Sequence, residues 1–140
     1  MERMAFPRET WPEGHWRVGS AEGVLARFYL THGRFGDALP HARNQLESYR
    51  MQIVEDHTWT MDARVILGLC LLELDRFQEA EAHFLRAYGA YEEAGDREQP
   101  RAQELVSHLV TLYGGWGRPE EKARFRRLLL PAEEEGAGRS

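Results

Sequence analysis

Six histidines and a single cysteine carry the widest chemical range in this 140-residue chain. Histidine is the commonest metal ligand and a ready general base. No two histidines stand at HExxH spacing, and one cysteine cannot supply a zinc-finger set. His15 and His57, and likewise His41 and His83, recur 42 positions apart. Recurrence at one structural position points to packing or capping, so no metal site is expected. Cys70 stands among Leu69, Leu71 and Leu72. A thiol in apolar surroundings stays protonated and inert, and a nucleophile needs a base that the local sequence does not offer. Gly114-Gly115-Trp116-Gly117 has no strand before it and lacks the lysine of a phosphate loop, so it reads as a flexible corner. Glu92-Glu93 and Glu133-Glu134-Glu135 read as a solvated face and a tail rather than paired acids. No catalytic constellation and no cofactor site emerge, and the chain is expected not to be an enzyme.

Composition narrows the class further. Charged residues make up 29% and hydrophobic residues 42%, an ordinary globular balance. The net charge of -5 gives no electrostatic reason to expect nucleic acid or an anionic membrane as partner. No apolar run approaches the roughly 18–20 residues of a spanning helix. The opening MERMAFPRETWPEG has no apolar segment of the secretory type. One cysteine fits a reducing compartment, and a cytoplasmic location is the expectation.

The elements that must position these residues are written most clearly in Asp62 to Ala87. Arg64, Leu67, Gly68 and Leu71 follow helical spacing, as do Phe77, Ala80, Phe84 and Ala87, with Asp75-Arg76 as the break. Moving back 42 positions sets Leu25 on Leu67, Arg34 on Arg76, Phe35 on Phe77 and Ala38 on Ala80. Moving forward sets Leu109 on Leu67, Arg118 on Arg76 and Glu121 on Glu79. A fixed period of this size is the signature of stacked units that share one core.

The reading is therefore all-α, with six helices in three hairpins. The first runs from His15 or Trp16 to Thr31, and the second from Phe35 to Ile53. The third spans Thr58–Leu74 and the fourth Phe77–Ala94, stopped by Gly95. The fifth spans Pro100–Tyr113 and the sixth Pro119–Leu130. Asp56 or Thr58 is the N-cap expected for the third. Residues 1–14 are expected to be irregular and 131–140 a disordered acidic tail. The repeat domain covers 15–130, in units of about 15–56, 57–98 and 99–130.

With Gly68, Ala80, Phe84 and Ala87 in place, the unit resembles a tetratricopeptide repeat. That resemblance implies an antiparallel helix-hairpin solenoid, wound as a right-handed superhelical stack, that binds proteins without catalysis. It also implies that Ala80 packs against Gly68 and that Phe84 fills the space between units. The usual period is about 34 residues, and the longer period here resembles the kinesin-light-chain type, whose Asp-His-Pro opening Asp56-His57 keeps in part. The closing stretch LYGGWGRPEEKARFRRLL resembles the last unit of such arrays in bacteria, where they follow the kinase domain of serine/threonine kinases. A C-terminal regulatory or docking segment of such a kinase is thus the alternative. The chain itself has no HRD or DFG motif. The first unit departs from the second with Ala42 for Phe84 and Gln45 for Ala87, and the third with Lys122 for Ala80.

The family lines a concave groove with the first helix of each unit. By position, that groove would hold Ser20, Arg27, Leu30 and Thr31, then Asp62, Val65, Leu69, Leu72 and Glu73, and finally Glu104, Ser107 and Thr111. The lysine and asparagine clamp for a C-terminal carboxylate is missing. Val65, Leu69 and Leu72 leave an apolar strip for a protein or peptide ligand. Cover by the N-terminal segment through Phe6 and Trp11, or self-association, are equal alternatives.

Overall fold

The structure is a computed structural model that describes residues 16–52 and 58–130. Six helices make up the described residues, and there is no strand among them. They are α1 (Trp16–Thr31), α2 (Phe35–Gln52), α3 (Thr58–Glu73), α4 (Phe77–Glu93), α5 (Pro100–Trp116) and α6 (Pro119–Arg126). The architecture is all-α, built from antiparallel helix hairpins. The residues read as the N-terminal segment, the acidic tail and the Asp56 cap lie outside the described residues, as do His15 and His57.

One turn is used three times, and its period is that of the sequence. Gly33, Asp75 and Gly117 stand 42 positions apart and all adopt a left-handed conformation, with φ of 74°, 61° and 76°. Each closes the first helix of its hairpin, where the last carbonyls lack intrahelical partners. The N–H of Arg34, Arg76 and Arg118 then donates back to the carbonyl of Tyr29, Leu71 and Tyr113, at 2.8, 2.8 and 2.9 Å. This is a Schellman-type closure. The same three arginines reach forward to Asp37, Glu79 and Glu121 at the start of the second helix.

The third hairpin departs from expectation at both ends. Gly114, Gly115 and Trp116 continue α5, because the left-handed stop falls at Gly117, as the period requires. Trp116 stacks on Tyr113 with rings 6° from parallel. The sixth helix ends at Arg126, short of Leu130. There Gln103 of α5 takes over: its Nε2 donates to the carbonyls of Arg97 and Leu128, and its Oε1 accepts from the Leu130 N–H at 2.7 Å. A side chain that ties the chain down this way does the work of the missing helical bonds.

By contacts the chain forms two compact units, Met1–Ala87 and Tyr88–Ser140. In the first, α2 packs on both α1 and α3, and α1 also touches α3. The helix α3 is buried nearly all round, from Thr60 to Leu72, which fits its position as the best-patterned element. In the second unit, α6 packs on α5. Its core holds Leu105, Val106, Leu109 and Leu112, with Phe125 stacked on Tyr113 and meeting Tyr88 edge-on.

Gly68 lets α4 approach α3, and the side chain nearest to it across the contact is Phe84. A Cβ on Gly68 would lie 2.5 Å from the Phe84 ring. One period earlier the pair is Ala26 and Ala42, both fully buried. The other departure from the repeat has the same logic. Gln45 replaces Ala87, and the side-chain amide of Gln45 occupies the space a Cβ would need on Gly23, where the second repeat has Val65. Size lost on one helix is restored on its neighbour, so the spacing is kept while the residues change.

Candidate binding face

The histidines bridge helices. His41 of α2 donates through Nδ1 to the Glu22 carboxylate of α1 at 2.6 Å, and its ring stacks on Tyr29. One period on, the same two positions are His83 and Arg64. Arg64 Nη1 donates to His83 Nδ1 at 3.4 Å, so that ring nitrogen carries no proton. Burial lowers the His83 pKa below its ordinary value, and the Arg64 charge lowers it further. In the third repeat the two positions are Val106 and Phe125, both buried. One pair of repeat positions is thus filled by an acid and an imidazole, then by a guanidinium and an imidazole, and then by two buried apolar side chains.

Cys70 is fully buried, and burial pushes its thiol up to about 11. Among the described residues, no group of three or more His, Cys, Asp and Glu side chains could hold a metal ion. No described helix is long and apolar enough to cross a membrane.

A cleft of about 320 Å³ opens in the first unit. Ser20, Val24 and Arg27 line it from α1, Gln45 and Tyr49 from α2, and Trp59 and Asp62 from α3. Of the residues expected in the groove, it gathers Ser20, Arg27 and Asp62. The Tyr49 and Trp59 rings lie 6.0 Å apart, and Trp59 is 45% exposed. Gln45 is buried, and its Oε1 has no hydrogen-bond partner. Gln45, Tyr49, Trp59 and Val24 line the cleft but were not among the groove residues expected from the sequence. Their signals were a glutamine at the position of Ala87 and a tryptophan three residues before Asp62.

The remaining groove candidates divide by exposure. Thr31 and Glu73 are exposed, and Leu30, Val65 and Leu69 are half-buried. Leu72 is buried at 8%, so the strip offers Val65 and Leu69 but little of Leu72. In the second unit, Glu104, Ser107 and Thr111 are all exposed on α5.

These hairpins, with their repeated turn and small-against-large helix contacts, define a class of helical repeat. The tetratricopeptide repeat family model matches residues 17–93, more than half of the chain, and the chain belongs to that family. A search of curated proteins finds no match to it. The family's repeats generally mediate protein–protein interaction and are typically non-catalytic scaffolds.

Proposed function

We propose that this chain is a non-catalytic scaffold that takes a peptide or a helix of a partner protein along the exposed face of α1 and α3. The observation that carries the reading is the cleft between these helices, where Trp59 stands open beside Arg27 and Asp62. An exposed aromatic flanked by opposite charges suits a protein ligand: the ring supplies area at little entropic cost, and the charges set register. The half-buried Val65 and Leu69 extend the apolar part of this face along α3.

Peptide-display panning against the intact chain tests this. Peptides recovered by the intact chain are expected to be lost on Arg27→Glu and Leu69→Arg variants of unchanged helicity. Binding that survives both substitutions contradicts the reading. The alternative, a docking segment of a bacterial serine/threonine kinase, rests on the closing stretch from Leu112 to Leu130. A kinase-encoding open reading frame fused or adjacent to this one would favour it.

A further inference from the structure

The inner wall of the cleft holds a polar group that the fold leaves unused. Gln45 and Tyr49 are buried there, while Ser20, Val24, Arg27 and Trp59 are exposed around them. Gln45 is only 4% exposed, and its Oε1 has no hydrogen-bond partner among the described residues. A buried acceptor left in that state costs free energy that an apolar side chain would not. The repeat does not require it. One period on, the positions of Gly23 and Gln45 hold Val65 and Ala87, a pair with no amide. The amide is thus a feature of the first repeat alone of these two, and it stands at the cleft.

A ligand in the cleft offsets this cost only by bringing a donor to Gln45 Oε1. Arg27 sets a second condition. Its guanidinium is exposed on the rim and carries several N–H donors and no acceptor, so it favours an acceptor on the ligand. Asp62, half-buried on α3, is the other charged residue of the lining, and the two formal charges cancel. A carboxylate would suit Arg27 but would set its lone pairs against Gln45 Oε1 and its charge against Asp62. An ammonium or guanidinium would suit Gln45 and Asp62 but would face Arg27. Like-charge juxtaposition of this kind is what excludes a wrong ligand. A primary carboxamide meets both conditions without charge, because it offers N–H donors and a carbonyl acceptor in one plane. The exposed face of the Trp59 ring suits such a flat group.

We propose that the cleft receives the side-chain amide of a glutamine or asparagine of the partner protein, its N–H donating to Gln45 Oε1 and its carbonyl accepting from Arg27. The proposal rests on the reading that α1 and α3 receive a protein ligand, and it adds the residue type that enters the cleft. The volume of about 320 Å³ lies at the low end for ligand pockets, which suits a side chain reaching in from a ligand laid across the two helices.

Peptide-display panning of the full chain, with a Gln45→Met variant beside it, tests the proposal. Methionine is unbranched like glutamine and has only a weak acceptor. Peptides recovered by the intact chain are expected to share a glutamine or asparagine at one fixed position. That preference is expected to vanish among peptides recovered by Gln45→Met at unchanged helicity. Isothermal titration of one synthetic peptide from the intact-chain pool supplies a second measurement. Replacing its amide residue by methionine should weaken binding to the intact chain roughly tenfold, and should change binding to Gln45→Met far less. Peptides that are lost on Leu69→Arg yet share no amide, or share an acidic or basic residue in its place, overturn the carboxamide and leave the scaffold reading standing. An amide preference that persists on Gln45→Met also overturns it, because the contact then lies elsewhere. Recovery of no peptide by the intact chain overturns both readings together.

Discussion

Gly68 has no room for a methyl group, because a Cβ would press on the Phe84 ring. A Gly68→Ala substitution is therefore expected to cost about 1–3 kcal/mol by overpacking, read as a lowered urea midpoint. In a Phe84→Leu background the same substitution should cost much less, and an unchanged cost would contradict the contact. Gly89, in the next helix, gives the opposite forecast. Nothing lies within 4 Å of a Cβ built there, so Gly89→Ala should stabilise by up to about 1 kcal/mol through helix propensity. The histidines set a pH dependence. Burial lowers both His83 and His108 from 6.5. For His83, Arg64, Arg43 and Arg50 add to this and Glu79 opposes it; for His108, Glu104 opposes it. The unfolded chain then binds more protons than the folded one. Their contribution is present above the unfolded value of about 6.5 and is lost progressively as the pH falls from there through the lower folded values. Denaturation midpoints should drop between pH 7 and 5, and His83→Gln and His108→Gln should each flatten that slope. A slope unaffected by both would show that neither ring is held neutral by the fold.

At the level of elements, the three hairpin turns share one geometry but not one residue. Asp75 carries the left-handed conformation that Gly33 and Gly117 carry elsewhere. Aspartate tolerates it better than most residues, at some cost in backbone energy. Asp75→Gly should raise stability by up to about 1 kcal/mol, and Gly33→Ala should lower it by a similar amount. A thermal melt in which both changes act in the same direction would contradict this account. The turns were legible in the sequence because the break residues and the arginines after them keep the period. The end of α5 was not. Gly114 and Gly115 look like a break when read locally, and only the stop at Gly117 shows that the helix runs through them. The end of α6 was hidden for a different reason: the side chain that ties it off, Gln103, lies 25 residues before Leu128. A helix stopped by a distant side chain leaves no mark in its own residues.

On the scale of the molecule, the period accounts for most of what could be read beforehand. It marks which positions recur; Leu67 with Leu109 and Ala38 with Ala80 are buried pairs among them, while Leu25, the counterpart of Leu67 in the first repeat, is exposed. The candidate site is a different matter, because it is built where the repeat is broken. Gln45 reaches the cleft as a larger side chain facing Gly23, and that compensation is visible only once α1 and α2 are set side by side. Leu72 shows the converse. Its spacing puts it on the groove side, but the three-dimensional packing buries it. The central claim is that α1 and α3 together receive a protein ligand. Hydrogen exchange of the full chain, with and without a peptide recovered by panning, tests it most directly. The account predicts slowed exchange in α1 and α3 around Arg27 and Asp62, with α6 unchanged. Protection confined to other helices would contradict it.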